Sequence, residues 1–328
     1  MRAVLDGVTE PKIKAGLLLG LCRWLTQRNA AGLATEAALE GLSQLEDART
    51  KLRAELEGDL GYVLDKSSQL PEALRHFEQG LAIRQEVGDR KGEAVTLNNI
   101  SHIYHSWGRY EEAFKTLEQG LAIQQEIADR KGEAVTLNNI SQIYDAWGRY
   151  EEALKTLEQS LAIQREVGER PGEAVTLNNI STIYHAWGRN EEALKTLEQS
   201  LAISQEIGDR KAEAVTLNNI SAIYHAWGRY EEALKTLEQS LAIQREVGDR
   251  AGEVVTSRNL GLEYERRGDL ARALPLLESS VRIEDALKHP DFERDQVYLV
   301  ALKNRMREPG AKPSSGGVEP VIPRSDPK

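Results

Sequence analysis

The feature that most constrains this chain is a repeat. NNISHIYHSWGRYEEAFKTLEQGLAI starts at Asn98, and close copies start at Asn138, Asn178 and Asn218, 40 residues apart each time. Diverged copies flank these four, LPEALRHFEQGLAI from Leu70 and RNLGLEYERRGDLARALPLLESSVRI from Arg258, which makes six units. Self-similarity at this period excludes a fold wrapped around one central core and calls for an array of like pieces.

Each piece reads as a helical hairpin. A Gly-Arg step such as Gly148-Arg149 separates two helical patterns, because glycine supplies the left-handed conformation that ends the first. In the second pattern Ala153, Leu157, Leu161 and Ile163 recur at near-helical spacing, with Glu151, Glu152, Lys155 and Glu158 on the opposite, solvated face. Gly168-Glu169-Arg170-Pro171 then breaks the chain. One hairpin cannot bury its apolar side alone, so successive hairpins stack into a solenoid with a continuous core.

The order of Leu137, Ile140, small Ser141, Tyr144, Gly148, Tyr150, Ala153, Leu157 and small Ser160 resembles the tetratricopeptide repeat in its 40-residue version. The likeness recurs in phase through all six units, from Lys51 to Lys288. The run TLNNIS is similar to helix openings in kinesin light chains, and VGDRKGEA resembles the hairpin junctions of Pins-family adaptors; bacterial signalling proteins carry the same kind of unit. The resemblance implies an all-α, right-handed superhelical solenoid of six tandem hairpins with helical caps. The expected organisation is capping helices in 1–48, six units in 49–288, a capping helix in 289–307 and a disordered tail in 308–328.

Two adjacent asparagines in a helix interior need a reason, since Asn is a poorer helix former than Ala by several tenths of a kcal/mol. At about 100° per residue, Val135, Asn138, Asn139, Gln142, Asp145 and Ala146 fall in one stripe, away from Leu137, Ile140, Ile143, Tyr144 and Trp147. The apolar set must pack, so the expectation is that the stripe stays uncovered. In tetratricopeptide folds that surface is the concave groove. A carboxamide has two donors and an acceptor and can match a peptide backbone without demanding a particular side chain. In the resembling adaptors the asparagine directly before Leu/Ile grips the backbone of a bound segment. That role falls here on Asn99, Asn139, Asn179, Asn219 and Asn259, with Asp59 departing from the pattern in the first unit. The preceding Asn98, Asn138, Asn178 and Asn218 give way to Gly58 and Arg258 at the two ends. Differences between the copies concentrate in the same stripe: His102, Gln142, Thr182 and Ala222 at one position, His105, Asp145, His185 and His225 at the next. The expected groove-lining set is Asn98, Asn99, His102, His105, Asn138, Asn139, Gln142, Asp145, Asn178, Asn179, Thr182, His185, Asn218, Asn219, His225, Arg258 and Asn259. Recent copying of units, or drift on a free surface, would leave the same pattern.

Sharper chemistry finds no foothold. His102 and His105 lie on one helix face, but helix axes about 8–10 Å apart cannot easily bring further ligands within the roughly 2.1 Å of a metal–nitrogen bond. Cys22, the only cysteine, sits in the apolar run AGLLLGLC, too short to span a bilayer and closed by Arg23 without a small-residue cleavage site. A reducing, cytoplasmic setting is expected. No phosphate-binding glycine loop or hydrolase elbow occurs, so neither cofactor nor metal nor catalysis is expected. A formal charge of −10, with Lys and Arg interspersed among acids, argues against nucleic acid or an anionic membrane as partner. Trp107, Trp147, Trp187 and Trp227, one per unit before the hairpin glycine, read as packing between units. Two patterns, Lys12 to Gln27 and Leu33 to Leu45, precede the repeats, and Phe292, Tyr298, Leu302 and Met306 mark a helix after them. The expected function is a non-enzymatic scaffold binding an extended peptide or partner segment in the asparagine-lined groove. The alternative is a ligand-sensing regulatory subunit that switches a separate effector enzyme.

Overall fold

The computed structural model describes residues 8–28, 30–46, 48–287 and 291–307, and contains fifteen α-helices and no strand among them. The chain is all-α, as the repeat requires. The expected disordered tail in 308–328 and the first two residues of the expected capping helix, His289 and Pro290, lie outside the described residues. Contacts between Cα atoms divide the chain into two units, Met1–Ile163 and Gln164–Lys328.

The first unit holds α1 (Pro11–Thr26), α2 (Ala31–Gln44), α3 (Lys51–Lys66), α4 (Leu70–Val87), α5 (Arg90–Ser106), α6 (Tyr110–Glu126) and α7 (Arg130–Ala146); α8 (Tyr150–Val167) begins in it. Helices α1 and α2, α3 and α4, and α5 and α6 form hairpins, and α2, α4 and α6 each pack on the helix that follows. The second unit repeats the plan with α9 (Arg170–Ala186), α10 (Asn190–Glu206), α11 (Arg210–Ala226), α12 (Tyr230–Val247), α13 (Arg250–Arg266) and α14 (Leu270–Leu287), followed by α15 (Phe292–Arg307).

The local reasons recur with the sequence. Gly148 has φ 70°, where an L side chain is strained, and turns α7 into α8. At the next junction type Asp129 caps α7 by accepting from the Gly132 amide at 3.2 Å. Glu133, 8% exposed, accepts from Arg130 at 2.5 Å and from Gln125 of α6 at 3.1 Å, which fastens a hairpin to its predecessor. Small residues let the two helices of a hairpin approach: a Cβ on Gly120 would meet the Ala94 carbonyl at 3.5 Å, and Ser160 donates to the Ala134 carbonyl at 2.8 Å. Between hairpins the core is apolar, with Ala113 and Leu117 of α6 against Ile140 and Ile143 of α7, and Ala193 and Leu197 of α10 against Ile220 and Ile223 of α11.

The tryptophans are less enclosed than the sequence suggests. Trp147 packs on Phe114 at 5.5 Å between ring centroids, yet Trp107 is 37% and Trp187 38% exposed, because each indole closes the end of a hairpin. The arginine after the glycine lies over the aromatic pair, Arg149 at 4.7 Å from the Tyr144 ring. Cys22 is buried and its thiol is pushed up to about 11 by that burial, so it is a core residue of low reactivity.

Candidate binding surface

The asparagine stripe is split by its surroundings. Asn178 is 4% exposed; its Nδ2 donates to the Ala174 carbonyl (3.1 Å), Ser200 Oγ (2.6 Å) and Thr216 Oγ1 (3.0 Å). Its Oδ1 accepts from Asn219 Nδ2 at 3.1 Å. One side chain thus ties α9 to α10 and to α11. The acceptor half of the pattern advances by one repeat at Asn218, 1% exposed, whose Oδ1 accepts from Asn259 Nδ2 at 3.2 Å and Thr256 Oγ1 at 3.4 Å, while its Nδ2 has no hydrogen-bond partner. In the first unit Asn98 and Thr136 bond at 2.8 Å, and Asn138, 2% exposed, donates to the Ala134 carbonyl and to Ser160 Oγ at 3.0 and 2.7 Å.

These contacts correct the expectation that both asparagines of a pair stay uncovered. Asn138, Asn178 and Asn218 are buried between helices, and Asn98 is half-buried against Thr136. Asn179, Asn219 and Asn259 are also buried, at 8%, 3% and 6% exposed, the last two as donors in the ladder. The reason is geometric: the first helix of a hairpin lies between neighbouring helices, so a polar side chain turned toward one of them is covered as fully as an apolar one, and most of its polar atoms are bonded, Asn218 Nδ2 and Asn219 Oδ1 being the exceptions. Arg258 is likewise covered rather than open. It stands where the first asparagine stands in other units, is 7% exposed, and pairs with Asp295 of α15 at 2.7 Å.

What remains accessible is narrower. Asn99 and Asn139 are half-buried, and neither carboxamide bonds to another described residue. Around them His102 is exposed, with Asp65 3.3 Å from its Nδ1, His105 lies against Tyr110 at 5.3 Å, and Gln142 and Asp145 are partly exposed. In the second unit Thr182 bonds back to the Asn178 carbonyl at 3.2 Å, and His185 Nδ1 meets Asn190 Oδ1 at 2.6 Å. His225 Nδ1 lies 2.8 Å from Glu263 Oε2, and the Arg266 guanidinium lies 3.3 Å from His225 Nε2.

Glu263 and Arg266 belong to this surface and were not anticipated. Glu263 occupies the place of Ile103, Ile143, Ile183 and Ile223, so the signal was an acid at a position that is otherwise isoleucine. It is 3% exposed, its Oε1 has no hydrogen-bond partner, and with His225, Asn259 and Arg266 it lines a cavity of about 10 Å³. No cluster of three or more His, Cys, Asp or Glu side chains suited to a metal occurs among the described residues. No helix there is long and apolar enough to cross a membrane.

The family model for the tetratricopeptide repeat matches residues 51–126, 93–166, 132–206 and 212–284. Among solved structures, a putative kinesin light chain from Podosopora anserina with nearly identical TPR-like repeats is 26% identical, covering 61% of this chain and 98% of that one with a TM-score of 0.49. The apo form of RapI is 16% identical over 84% of this chain and 99% of its own, at a TM-score of 0.64. The Rap conjugation gene regulator of the plasmid pLS20, solved with the Phr* peptide, is 15% identical over 85% and 76%, at a TM-score of 0.62. A search of the curated proteins found no match.

Proposed function

The chain belongs to the tetratricopeptide repeat family, and on that premise we propose that it is a non-catalytic protein-interaction module that holds an extended segment of a partner. The observation that carries this reading is the pair Asn99 and Asn139, whose uncommitted carboxamides recur one repeat apart on α5 and α7 while the neighbouring asparagines are spent on structure. Helix axes about 8–10 Å apart correspond to roughly three residues of extended chain at about 3.3 Å each. Two such amides therefore fit alternate stretches of one backbone. His102, His105, Gln142 and Asp145 flank them and differ between the two repeats, which suits selection among side chains. The Rap regulator of pLS20, similar in fold, was solved with a peptide bound.

The test is selection of random linear peptides displayed on phage against the immobilised chain, followed by titration of the enriched peptides. Replacing Asn99 and Asn139 by Ala should weaken binding by about 5- to 150-fold, from roughly 0.5–1.5 kcal/mol per neutral hydrogen bond, and leave the helical fold intact. Failure to enrich any peptide, or unchanged affinity in the double variant, would remove the proposal.

A further inference from the structure

The first hairpin has a surface that the partner-binding strip does not use. In the later hairpins of the first unit, the leading helix buries one side against the hairpin before it. Ile143 of α7 packs on Ala113 and Leu117 of α6, and Thr136 of α7 bonds Asn98 of α5. Stepping back by 40 residues at a time, Ile143 corresponds to Ile103 and Val63, which are 0% and 1% exposed; α1 carries no repeat signature, but its buried Ala15, Leu18, Cys22 and Leu25 lie 39 residues before the buried Ala54, Glu57, Gly61 and Leu64 of α3, and at that offset Val63 corresponds to Trp24, which is 46% exposed. Thr136 corresponds in the same way to Thr96 and Leu56, 2% and 0% exposed, and at the 39-residue offset of α1 to Leu17, 45% exposed. Among the described residues no helix precedes α1. A helix face left to water is ordinarily polar. Here the outer face of α1 is apolar: Ile13, Leu17, Gly20 and Trp24 are all exposed and spaced by four, three and four residues, the spacing of a coiled-coil seam.

We propose that this face is the interface of a head-to-head homodimer, in which α1 packs antiparallel on α1 of a second copy about a twofold axis passing between Leu17 and Gly20. Three features point to a second copy as the occupant. The seam is self-complementary in size, since the axis sets Leu17 of each chain over Gly20 of the other, where the space a side chain would fill is open, and Ile13 against Trp24. It is self-complementary in charge, since the exposed Glu10 at one end meets the exposed Arg28 at the other, twice over. Arg28 is already held at the seam's edge, 4.0 Å over the Trp24 ring. The other flanking cations are neutralised within their own chain, Lys14 by Glu40 at 3.1 Å and Arg23 by Asp59 at 2.6 Å, so they do not repel the copy.

One pair of helix faces is a small interface, so the affinity should be micromolar and the full chain is to be measured at about 100 µM. Sedimentation equilibrium should return the mass of two chains. Leu17→Glu, which sets two carboxylates near the axis, should weaken dimerisation about tenfold or more with unchanged helical circular dichroism, because Leu17 is exposed within its own chain. Glu10→Arg and Arg28→Glu should each weaken the dimer, and the two together should restore it. The proposal is overturned by a monomeric wild type, by a Leu17→Glu variant that still dimerises, or by failure of the combined charge swap to recover association. Loss of helicity in Leu17→Glu would show that the chain itself covers the face, and would also overturn it.

Discussion

Replacing Asn178 by Ala is the most direct measure of what the buried asparagines do. The side chain makes Nδ2 contacts to Ala174, Ser200 and Thr216 and accepts from Asn219 through Oδ1. Two amide hydrogens serve three acceptors, so about three hydrogen bonds are lost in all, each with a net contribution of about 0.5–1.5 kcal/mol. Asn219 Nδ2 is then left buried without an acceptor, and an orphaned donor carries a penalty of about 1–3 kcal/mol that overlaps with the first figure. Against this, Ala is the better helix former by roughly 0.6 kcal/mol. The balance is a destabilisation of about 2–4 kcal/mol. Asn139→Ala, on the same residue type with no bonded partner among the described residues, should be neutral or stabilising by about 0.5 kcal/mol. Unfolding in a repeat protein need not be two-state, so native-state hydrogen exchange across α9, α10 and α11 should accompany denaturant titration. Equal stability of the two variants would refute the ladder as a structural element.

Two further outcomes follow from the same contacts. Burial first, then the nearby Asp295, pushes the Glu284 carboxyl up to about 7, while Arg294 and Arg258 hold Asp295 below its ordinary value; the raised group keeps its proton in the folded state, so stability should fall as pH rises from about 4.5 to about 7 and level off above, and thermal melts of Glu284→Gln should lose that slope. A shared pH profile for the two proteins would refute the assignment. Glycine replacements should have opposite signs by location: Gly148→Ala, at φ 70°, should destabilise by about 1–2 kcal/mol, whereas Gly120→Ala, inside α6 with ordinary contact to the Ala94 carbonyl at 3.5 Å, should stabilise by about 0.5–1 kcal/mol, both read from denaturant midpoints.

The sequence by itself determined everything that depends on neighbours along the chain. The 40-residue period, the hairpin, the glycine at its turn and the apolar spacing of Ala153 and Leu157 are local signals, and the helices form where those signals lie. What only the tertiary structure decided is which polar residues are covered. Periodicity assigns Asn138 and Asn139 to one stripe because both are polar and about 100° apart. The partner helix of the hairpin puts a boundary between them, with Asn138 sealed against Ser160 of α8 and Asn139 left partly open. Hydrophobic patterning recognises burial only when the buried group is apolar, and a carboxamide that is fully bonded inside looks the same in sequence as one waiting for a ligand. The last repeat makes the same point. Arg258, Glu263 and Glu265 are charged replacements at positions that elsewhere carry Asn, Ile and His or Asp, and their meaning came from partners distant in sequence: Asp295, His225 and the pair Tyr298 and Arg305. A sequence can show that such a position has changed, but only the fold supplies the opposite charge that makes burying it tolerable.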